Sequence, residues 1–294
     1  MHIRPRRSVL YMPGSNGRAL EKAKSLAADA LILDLEDAVA PEAKETARTQ
    51  VCAAVKAGGF GNREIVIRIN GLETQWGEAD LHAAAAAVPD AVLIPKPNTG
   101  ADIARATEAL ARAGAPDATR LWAMIETPLA ILNLADIAAA SRRPGARLAC
   151  FVMGTNDLVK ETRADLSANR RPALYWLSAA ITAARAYGLD VLDGVYNNFK
   201  DIEGYQRECA HGRALGFDGK TLIHPDQIAA ANTVFAPPEA EVAFARKVIA
   251  AFDQPDSKGK GVLTVEGRMV ELLHAEMARR TVAIAEAIEA MSAP

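Results

Sequence analysis

The chain repeats one pattern, in which a short apolar run ends in polar residues and an amphipathic stretch follows. Each apolar run has about four to eight residues, the length of a strand buried on both faces. The amphipathic stretches carry apolar residues at helical spacing, and a capping residue or a proline opens several of them. The strands predicted in this way span residues 7–12, 30–35, 64–69, 91–94, 121–126, 147–153, 191–196 and 216–223.

Eight strand–helix units in strict alternation predict an α/β protein with a parallel sheet. Eight strands are the number that closes a (β/α)₈ TIM barrel, and the eighth predicted helix ends near residue 235. An open doubly wound sheet is the alternative, but no GxGxxG motif follows the first strand. We therefore expect the barrel to occupy residues 1–236.

A carboxyl-terminal appendage of residues 237–294 begins at the pair Pro237-Pro238. Its pattern predicts a helix over 239–252, a polar loop over 253–261, a short strand over 262–265 and a long helix to residue 290. A segment of this size is too small for a core of its own. We expect a helical appendage that docks on a barrel, either its own or that of a neighbouring subunit.

Composition narrows the class of protein. Of the 294 residues 50% are hydrophobic and 24% charged, and the net charge of −2 gives no reason to expect a nucleic-acid or membrane partner. No apolar run has bilayer length, and no apolar signal segment follows the first seven residues. Cys52, Cys150 and Cys209 are scattered without a CxxC motif, which is typical of reduced thiols in a cytoplasmic protein.

The candidate chemistry lies at the carboxyl ends of the predicted strands, where parallel barrels hold their ligands. Seven of the eight ends carry an ionisable side chain or lie beside one. Any single charge there could instead cap a helix or form an internal ion pair. Together they predict a polar ligand site, formed by Pro13-Gly14, Asp34, Glu36, Asp37, Arg68, Asn70, Lys96, Glu126, Asn156, Asp157, Asp193 and His224.

Two of these residues are candidate metal ligands. Glu126 and Asp157 follow neighbouring strands and offer hard oxygen atoms, with no Cys or His at metal-binding spacing. This donor set suits Mg²⁺ better than Zn²⁺. The alternative for each is that it caps the helix that follows it.

Three basic side chains admit two interpretations each. Arg68 is expected near the candidate metal ligands, where a guanidinium would stabilise a developing oxyanion or enolate. It could equally be a structural partner of Asp34 or Glu36. Lys22, on the first helix, could meet a phosphate or be solvated, and His224 is better explained as a hydrogen-bonding barrel residue than as a base.

The order of the motifs resembles the citrate lyase beta-subunit-like branch of the HpcH/HpaI aldolase superfamily. That branch includes citryl-, malyl- and citramalyl-CoA lyases and malyl-CoA thioesterases. The resemblance covers nearly the whole chain and is specific for the family, but not for the acyl-CoA used. Its motifs are Arg7-Ser8-x-Leu10-Tyr11-x-Pro13-Gly14, Asp34-Leu35-Glu36-Asp37-Ala38-Val39, Arg68-Ile69-Asn70, Pro95-Lys96, Ile125-Glu126-Thr127, Asp157-Leu158 and Gly219-Lys220-x-x-Ile223-His224-Pro225.

The resemblance implies a Mg²⁺-dependent barrel that acts on a CoA thioester and assembles as a homotrimer or a dimer of trimers. Glu126 and Asp157 match the metal ligands, and Arg68 matches the arginine that contacts the substrate's carbonyl oxygens. Glu126 is also expected to contact the substrate. The remaining positions expected to line the CoA and substrate site are Tyr11, Lys22, Asn156, Ile223 and His224.

The resemblance also implies that the appendage is a lid that closes over a neighbouring subunit's barrel. The family carries an aspartate there in a Gly-Lys/Arg-Met-Ile/Val-Asp pattern, as candidate proton carrier. This chain reads Gly267-Arg268-Met269-Val270-Glu271. The longer side chain of Glu271 changes its reach by roughly 1.3–1.5 Å, and catalysis can lose about 10²-fold over a 1 Å misplacement. The alternative is a solvent-facing helix residue.

Three functions follow as hypotheses. The leading one is a lyase that cleaves a 3-hydroxyacyl-CoA into a 2-oxoacid and a short acyl-CoA, or forms the 3-hydroxyacyl-CoA from them. The second is a thioesterase that hydrolyses the same kind of ester. The third is a barrel that binds CoA or an oxoacid without catalysis.

Overall fold

The computed structural model describes residues 3–167 and 169–292. They divide into two compact units, one of residues 6–232 and one of residues 3–5 and 233–292. In the first unit eight parallel strands pair in sequence order and close through β1 and β8 into the predicted barrel. The strands are β1 Ser8–Pro13, β2 Ala30–Asp34, β3 Glu64–Arg68, β4 Ala91–Ile94, β5 Arg120–Ile125, β6 Leu148–Met153, β7 Asp190–Asp193 and β8 Gly219–Leu222.

Helices follow every strand, and two follow β5 and β6. The alternation arises because both faces of a parallel sheet must be covered, and strands β2, β3 and β4 are buried along their whole length. The helices are α1 Gly17–Ala23, α2 Lys44–Ala57, α3 Gly77–Ala87, α4 Gly100–Arg112, α5 Pro128–Leu132, α6 Leu134–Ala139, α7 Thr155–Thr162, α8 Leu174–Tyr187, α9 Ile202–Leu215 and α10 Ile228–Phe235.

Among the differences from the sequence prediction, two in the barrel unit bear on the site. Strand β7 ends at Asp193, three residues early, because the Gly194 carbonyl accepts a hydrogen bond from the Lys220 ammonium at 2.5 Å instead of continuing the strand. Helix α7, which the pattern did not predict, is two turns of mainly polar residues and so lacks an apolar stripe. Asp157 therefore lies in the first turn of a helix, where a negative charge is favourable.

The barrel interior is filled by side chains from alternate positions of the strands, as in other eight-stranded barrels. At the amino-terminal end of the strands, Arg6 forms ion pairs with Glu64, at 2.6 Å, and with Asp190. Its guanidinium lies 5.0 Å from the ring centre of Trp122. The apolar cluster above it comprises Val9, Ala30, Ile32, Val66, Ala91, Leu93, Trp122, Met124, Cys150, Val152 and Leu192.

The carboxyl-terminal unit contains α11 Glu239–Phe252, β9 Val262–Val265, β10 Arg268–Glu271 and α12 Leu272–Ser292. The prediction that a helix follows Gly267 directly is wrong. Glu266 and Gly267 both have positive φ, at 48° and 76°, and this tight turn lets β10 pair antiparallel with β9. The interpretation of Glu271 as a helix residue is therefore wrong as well.

This unit also has an apolar cluster of its own, contrary to expectation. It joins residues of α11, the β9–β10 hairpin and α12, because the hairpin supplies an apolar face that a loop would lack. The buried members are Ala245, Val248, Val265, Val270, Ala275 and Ala278. In neither unit do the described residues include a helix long and apolar enough to cross a membrane.

A buried charge cluster joins the ends of β7 and β8 to the segment after α7. The Lys220 ammonium, which is fully buried, donates to Asp193 at 3.0 Å and to Glu208 at 2.7 Å. Arg170 binds both oxygens of Asp193 at 2.8 Å. Two acids and two bases thus satisfy one another inside the unit, which is the condition under which buried charges are tolerated.

We predict that Lys220→Met lowers the barrel's free energy of unfolding by about 3 kcal/mol, because the buried carboxylate of Asp193 loses one of its two basic partners and Glu208 loses its shortest ion pair. All three tryptophans, Trp76, Trp122 and Trp176, lie in residues 6–232, so urea denaturation followed by their fluorescence reports on the barrel. The control is Lys56→Met at an exposed position in the last turn of α2, expected to change stability by less than about 0.5 kcal/mol. Equal stability of the two variants would contradict the cluster's role.

Candidate active site

An ion pair between neighbouring strands anchors the carboxyl-terminal mouth of the barrel. Asp34 and Arg68 are paired in register at the tips of β2 and β3. The Asp34 carboxylate accepts from Nε and Nη2 of Arg68, both at 2.6 Å, and both residues are buried. Arg68 Nη1 lies 2.7 Å from Glu36 and 3.4 Å from Asp37. The pairing of Arg68 with Asp34 and Glu36, one of its two interpretations, is therefore present in the structure.

Tyr11 supports this guanidinium from the side of the barrel core. Its ring centre lies 5.0 Å from the Arg68 carbon Cζ, and its hydroxyl faces the Met124 sulfur at 3.9 Å. Burial raises the pKa of the Tyr11 phenol above its ordinary value, although the Arg68 charge opposes the shift. The phenol therefore stays neutral and packs as a flat face beneath Arg68.

Glu126 follows β5 and is almost completely buried. Its Oε1 accepts the backbone N–H of Lys96 at 2.9 Å. Burial, reinforced by the Glu36 charge, raises the pKa of Glu126 to about 8. The alternative that Glu126 caps α5 is wrong, since Thr127 Oγ1 accepts the N–H of Ala130 at 3.0 Å and Pro128 follows in the first turn.

A glycine opposite Glu126 makes room for its carboxylate. A Cβ atom on Gly154 would lie 2.4 Å from the Cβ of Glu126 and 2.7 Å from its Oε2. Real carbon atoms do not approach so closely, so any other residue at position 154 would displace the Glu126 side chain. Gly154 is thus a site residue that the amino-acid pattern did not indicate.

Lys96 brings the acids of three strand ends together. Its backbone contacts Glu126, and its ammonium lies 3.6 Å from Asp157 Oδ1 and 3.7 Å from Glu36 Oε1. Burial alone would lower the pKa of Lys96, but Glu126, Glu36 and Asp157 together raise it. The residue has φ of 48°, a left-handed conformation that a non-glycine side chain adopts at a cost. Nothing in the amino-acid pattern indicates this conformation.

Glu126 and Asp157 offer oxygen atoms around one shared cationic position. Among residues 3–167 and 169–292 no group of three or more His, Cys, Asp or Glu side chains is arranged to hold a metal ion. Two carboxylates with the other positions left to water and substrate are a donor set that suits Mg²⁺. Gly154 leaves room for the Glu126 carboxylate, and Glu126 and Asp157 both raise the pKa of Lys96, so the two carboxylates lie near one cation and fit such an ion.

The other predicted residues of the barrel unit make contacts different from those of Lys96, and one predicted residue lies in the second unit. Asn156 is exposed and exchanges hydrogen bonds with Asn197 at 2.7 and 3.3 Å. Ile223 is 40% exposed after β8, and Lys22 is exposed in the last turn of α1. In the carboxyl-terminal unit, Glu271 ends β10, and its N–H donates to His274 Nδ1 at 2.9 Å.

His224 carries an aromatic partner that the sequence did not indicate. Its ring stacks on Phe199, with the ring centres 4.6 Å apart and the planes within 13°. His224 also caps the turn after β8, where its Nδ1 accepts the N–H of Asp226 at 3.3 Å. This hydrogen bonding agrees with the structural interpretation of His224.

The sequence of this chain is similar to those of known proteins of one family. The family model described as HpcH/HpaI aldolase/citrate lyase matches residues 7–225. The (3S)-malyl-CoA thioesterase of Cereibacter sphaeroides is 50% identical over 289 residues, which cover 98% of both chains. The citrate lyase subunit beta of Escherichia coli is 36% identical over 273 residues, or 91% of this chain and 89% of that one.

A solved structure shares the fold and was obtained with ligands. It is the protein CitE from Mycobacterium tuberculosis in complex with magnesium, acetoacetate and coenzyme A. The TM-score is 0.73 at 31% identity, and the match covers 95% of this chain and 97% of that one.

We predict that Asp34→Asn destabilises the barrel by about 3 kcal/mol, because it leaves the buried Arg68 charge short of its main partner. The matched control is Asp37→Asn. This acid also faces Arg68, but it is 62% exposed and 3.4 Å away, so its loss should cost less than about 1 kcal/mol. Urea denaturation followed by tryptophan fluorescence measures both. A loss in the Asp37 variant as large as that in the Asp34 variant would contradict the assignment of Asp34 as the anchor.

Proposed function

The chain belongs to the HpcH/HpaI aldolase/citrate lyase family, and we propose that it is a Mg²⁺-dependent enzyme that acts on the CoA thioester of a 3-hydroxy acid of the malyl type. The observation that carries the proposal is the meeting of Glu126, Asp157 and Lys96 at the mouth of the barrel, beside a fixed arginine. The names of the relatives support the substrate class.

Glu126 and Asp157 are the residues that would hold Mg²⁺. When bound, the ion would supply a Lewis acid that polarises a carbonyl or hydroxyl oxygen of the substrate. The magnesium in the CitE complex supports this part of the proposal.

Arg68 provides a positive charge whose position is fixed before the substrate binds. Asp34 holds two of its nitrogens at 2.6 Å, so the guanidinium does not need to reorganise as charge develops. Its Nη1 is the nitrogen that a substrate oxygen can reach, because one of its two acid partners is the exposed Asp37 at 3.4 Å. Arg68 is thus proposed to stabilise negative charge on the thioester oxygen.

Hydrolysis of the thioester is the reaction that we place first. Water adds to the thioester carbonyl carbon, the carbon–sulfur bond breaks, and the CoA thiolate leaves and takes up a proton. The products are the free hydroxy acid and CoA. The specific support is the 50% identity with the (3S)-malyl-CoA thioesterase over almost the full length of both chains.

Carbon–carbon cleavage, the leading hypothesis from the sequence, is the second candidate. In this reaction the substrate hydroxyl loses its proton, the bond between the carbinol carbon and the thioester α-carbon breaks, and a 2-oxoacid forms. The thioester enolate then takes a proton to give a short acyl-CoA, and Glu271 is the proposed proton carrier. The similarity to citrate lyase subunit beta supports this alternative.

A product assay separates the candidates. The purified chain is incubated with malyl-, citramalyl- and citryl-CoA, with Mg²⁺ and with excess EDTA. We expect a hydroxy acid and free CoA, formed only with Mg²⁺, and we expect Glu126→Gln to lose at least about 10²-fold in kcat, as metal-ligand loss should. The control, Glu108→Gln, changes an exposed acid on α4 and should keep full activity.

The products decide the outcome of this assay. An oxoacid and a short acyl-CoA would establish the lyase reaction instead of hydrolysis. Binding of the esters without turnover would overturn both reactions and leave a non-catalytic CoA-binding barrel.

We further propose that the carboxyl-terminal unit acts as a lid on a neighbouring subunit of a homotrimer or a dimer of trimers. Four apolar side chains close to Glu271 in the sequence, those of Met269, Leu272, Leu273 and Met277, are each at least 50% exposed. Exposed apolar side chains concentrated in one segment commonly mark a surface that another chain covers. If the lid acts in this way, the site needs two subunits to be complete.

Mixing two variants tests this arrangement for carbon–carbon cleavage, the reaction in which Glu271 is the proposed proton carrier. Arg68→Ala and Glu271→Ala proteins are dissociated, combined and reassociated. Random assembly in equal amounts pairs a sound barrel with a sound lid at about a quarter of the interfaces, so about a quarter of wild-type activity should return. Proven subunit exchange without recovery would mean that Glu271 acts within its own subunit or takes no part in catalysis.

A further inference from the structure

The two cations at the mouth of the barrel are held in different ways. Arg68 is only 8% exposed, and two of its nitrogens contact Asp34 at 2.6 Å. The Lys96 side chain is 39% exposed, and its ammonium contacts Asp157 and Glu36 only at 3.6 and 3.7 Å. Arg68 is therefore fixed, whereas the Lys96 ammonium can be displaced.

The backbone of Lys96 is fixed even though its side chain is not. The residue lies between Pro95 and Pro97 with φ of 48°, and its N–H donates to Glu126 at 2.9 Å. A flexible four-carbon stem therefore starts from a constrained point and carries its charge toward Asp157. This arrangement lets the ammonium move without disturbing Glu126.

The charges around Lys96 leave room for a further cation. Five carboxylates, those of Asp34, Glu36, Asp37, Glu126 and Asp157, lie near three cations. Arg68 and Lys96 contact these acids directly. The third cation, Lys44, donates to the Leu35 and Glu36 carbonyl oxygens at 3.0 and 2.7 Å, so the acids still outnumber the cations. The ammonium contacts Asp157 and its backbone contacts Glu126, which are the two proposed metal ligands. Lys96 and a divalent cation would thus compete for the same carboxylate.

We infer that Lys96 is the displaceable counter-ion of the divalent-cation site. Without a divalent ion its ammonium balances Asp157 and Glu36 and keeps the two carboxylates from repelling each other. When the ion binds, the ammonium leaves Asp157 and becomes a mobile positive charge at the mouth, where it can pair with a substrate carboxylate. This inference rests on the proposed function, because it takes Glu126 and Asp157 as the metal ligands.

Titration calorimetry of the full-length chain with Mg²⁺ alone tests the inference. Lys96→Met keeps the length of the side chain but removes the competing charge, so the Mg²⁺ dissociation constant should fall about tenfold, as the loss of two partly exposed ion pairs would give. Lys96→Arg keeps the charge and adds a fork that can grip a carboxylate, so its dissociation constant should stay the same or rise. Lys56→Met, an exposed lysine in the last turn of α2, is the control and should bind Mg²⁺ like the wild type.

The outcomes separate this inference from the proposed function. Wild-type Mg²⁺ binding that Lys96→Met leaves unchanged or weakens would overturn the counter-ion role alone. No Mg²⁺ binding by the wild type or by Lys96→Met would overturn the metal site and the inference together. Circular dichroism confirms that each variant is folded, and the Lys96→Arg result decides the case if Lys96→Met is not.

Discussion

The bidentate ion pair between Asp34 and Arg68 is the contact on which the arrangement of the mouth depends. It joins the tips of two neighbouring strands and holds the Arg68 guanidinium in one position. Asp34 also accepts the backbone N–H groups of Glu36 and Ala38, so the chain after β2 is oriented by the same carboxylate. Glu36 then faces Arg68 on one side and Lys96 on the other. The remaining acids, Glu126 and Asp157, share the second cation.

The alternation of buried strands and helices could be predicted from the sequence. Parallel strands are apolar on both faces, so each one appears in the sequence as a short continuous apolar run. What could not be predicted were elements decided by a few polar contacts. Helix α7 has too few apolar residues to show an apolar stripe. Strand β7 ends where the Lys220 ammonium donates a hydrogen bond to the Gly194 carbonyl oxygen. The β9–β10 hairpin depends on positive φ at Glu266, a residue type that gives no signal for it.

The residues of the candidate site could be named from the sequence because a parallel barrel gathers the ends of its strands at one mouth. Their partners could not, since the pattern left Arg68 with two possible roles and two possible acidic partners, Asp34 and Glu36. Arg68 is engaged by Asp34 and Glu36, which the pattern left as one of two alternatives. The space that Gly154 leaves for Glu126 and the left-handed backbone of Lys96 are local details of packing and strain. Neither follows from hydrophobic periodicity.

The buried cluster of Lys220, Asp193, Glu208 and Arg170 bears on how mutant data for this chain should be interpreted. Arg170 lies eight residues beyond the end of α7 at Thr162, and Asp157 lies in the first turn of that helix. The segment that presents Asp157 is therefore tied to the cluster through the chain. A screen that scores only turnover would register a change at Lys220 as a defect of the active site, although that side chain is fully buried and bonded to its own acids. Before a chemical role is assigned to a residue of this cluster, the fraction of folded protein must therefore be measured separately.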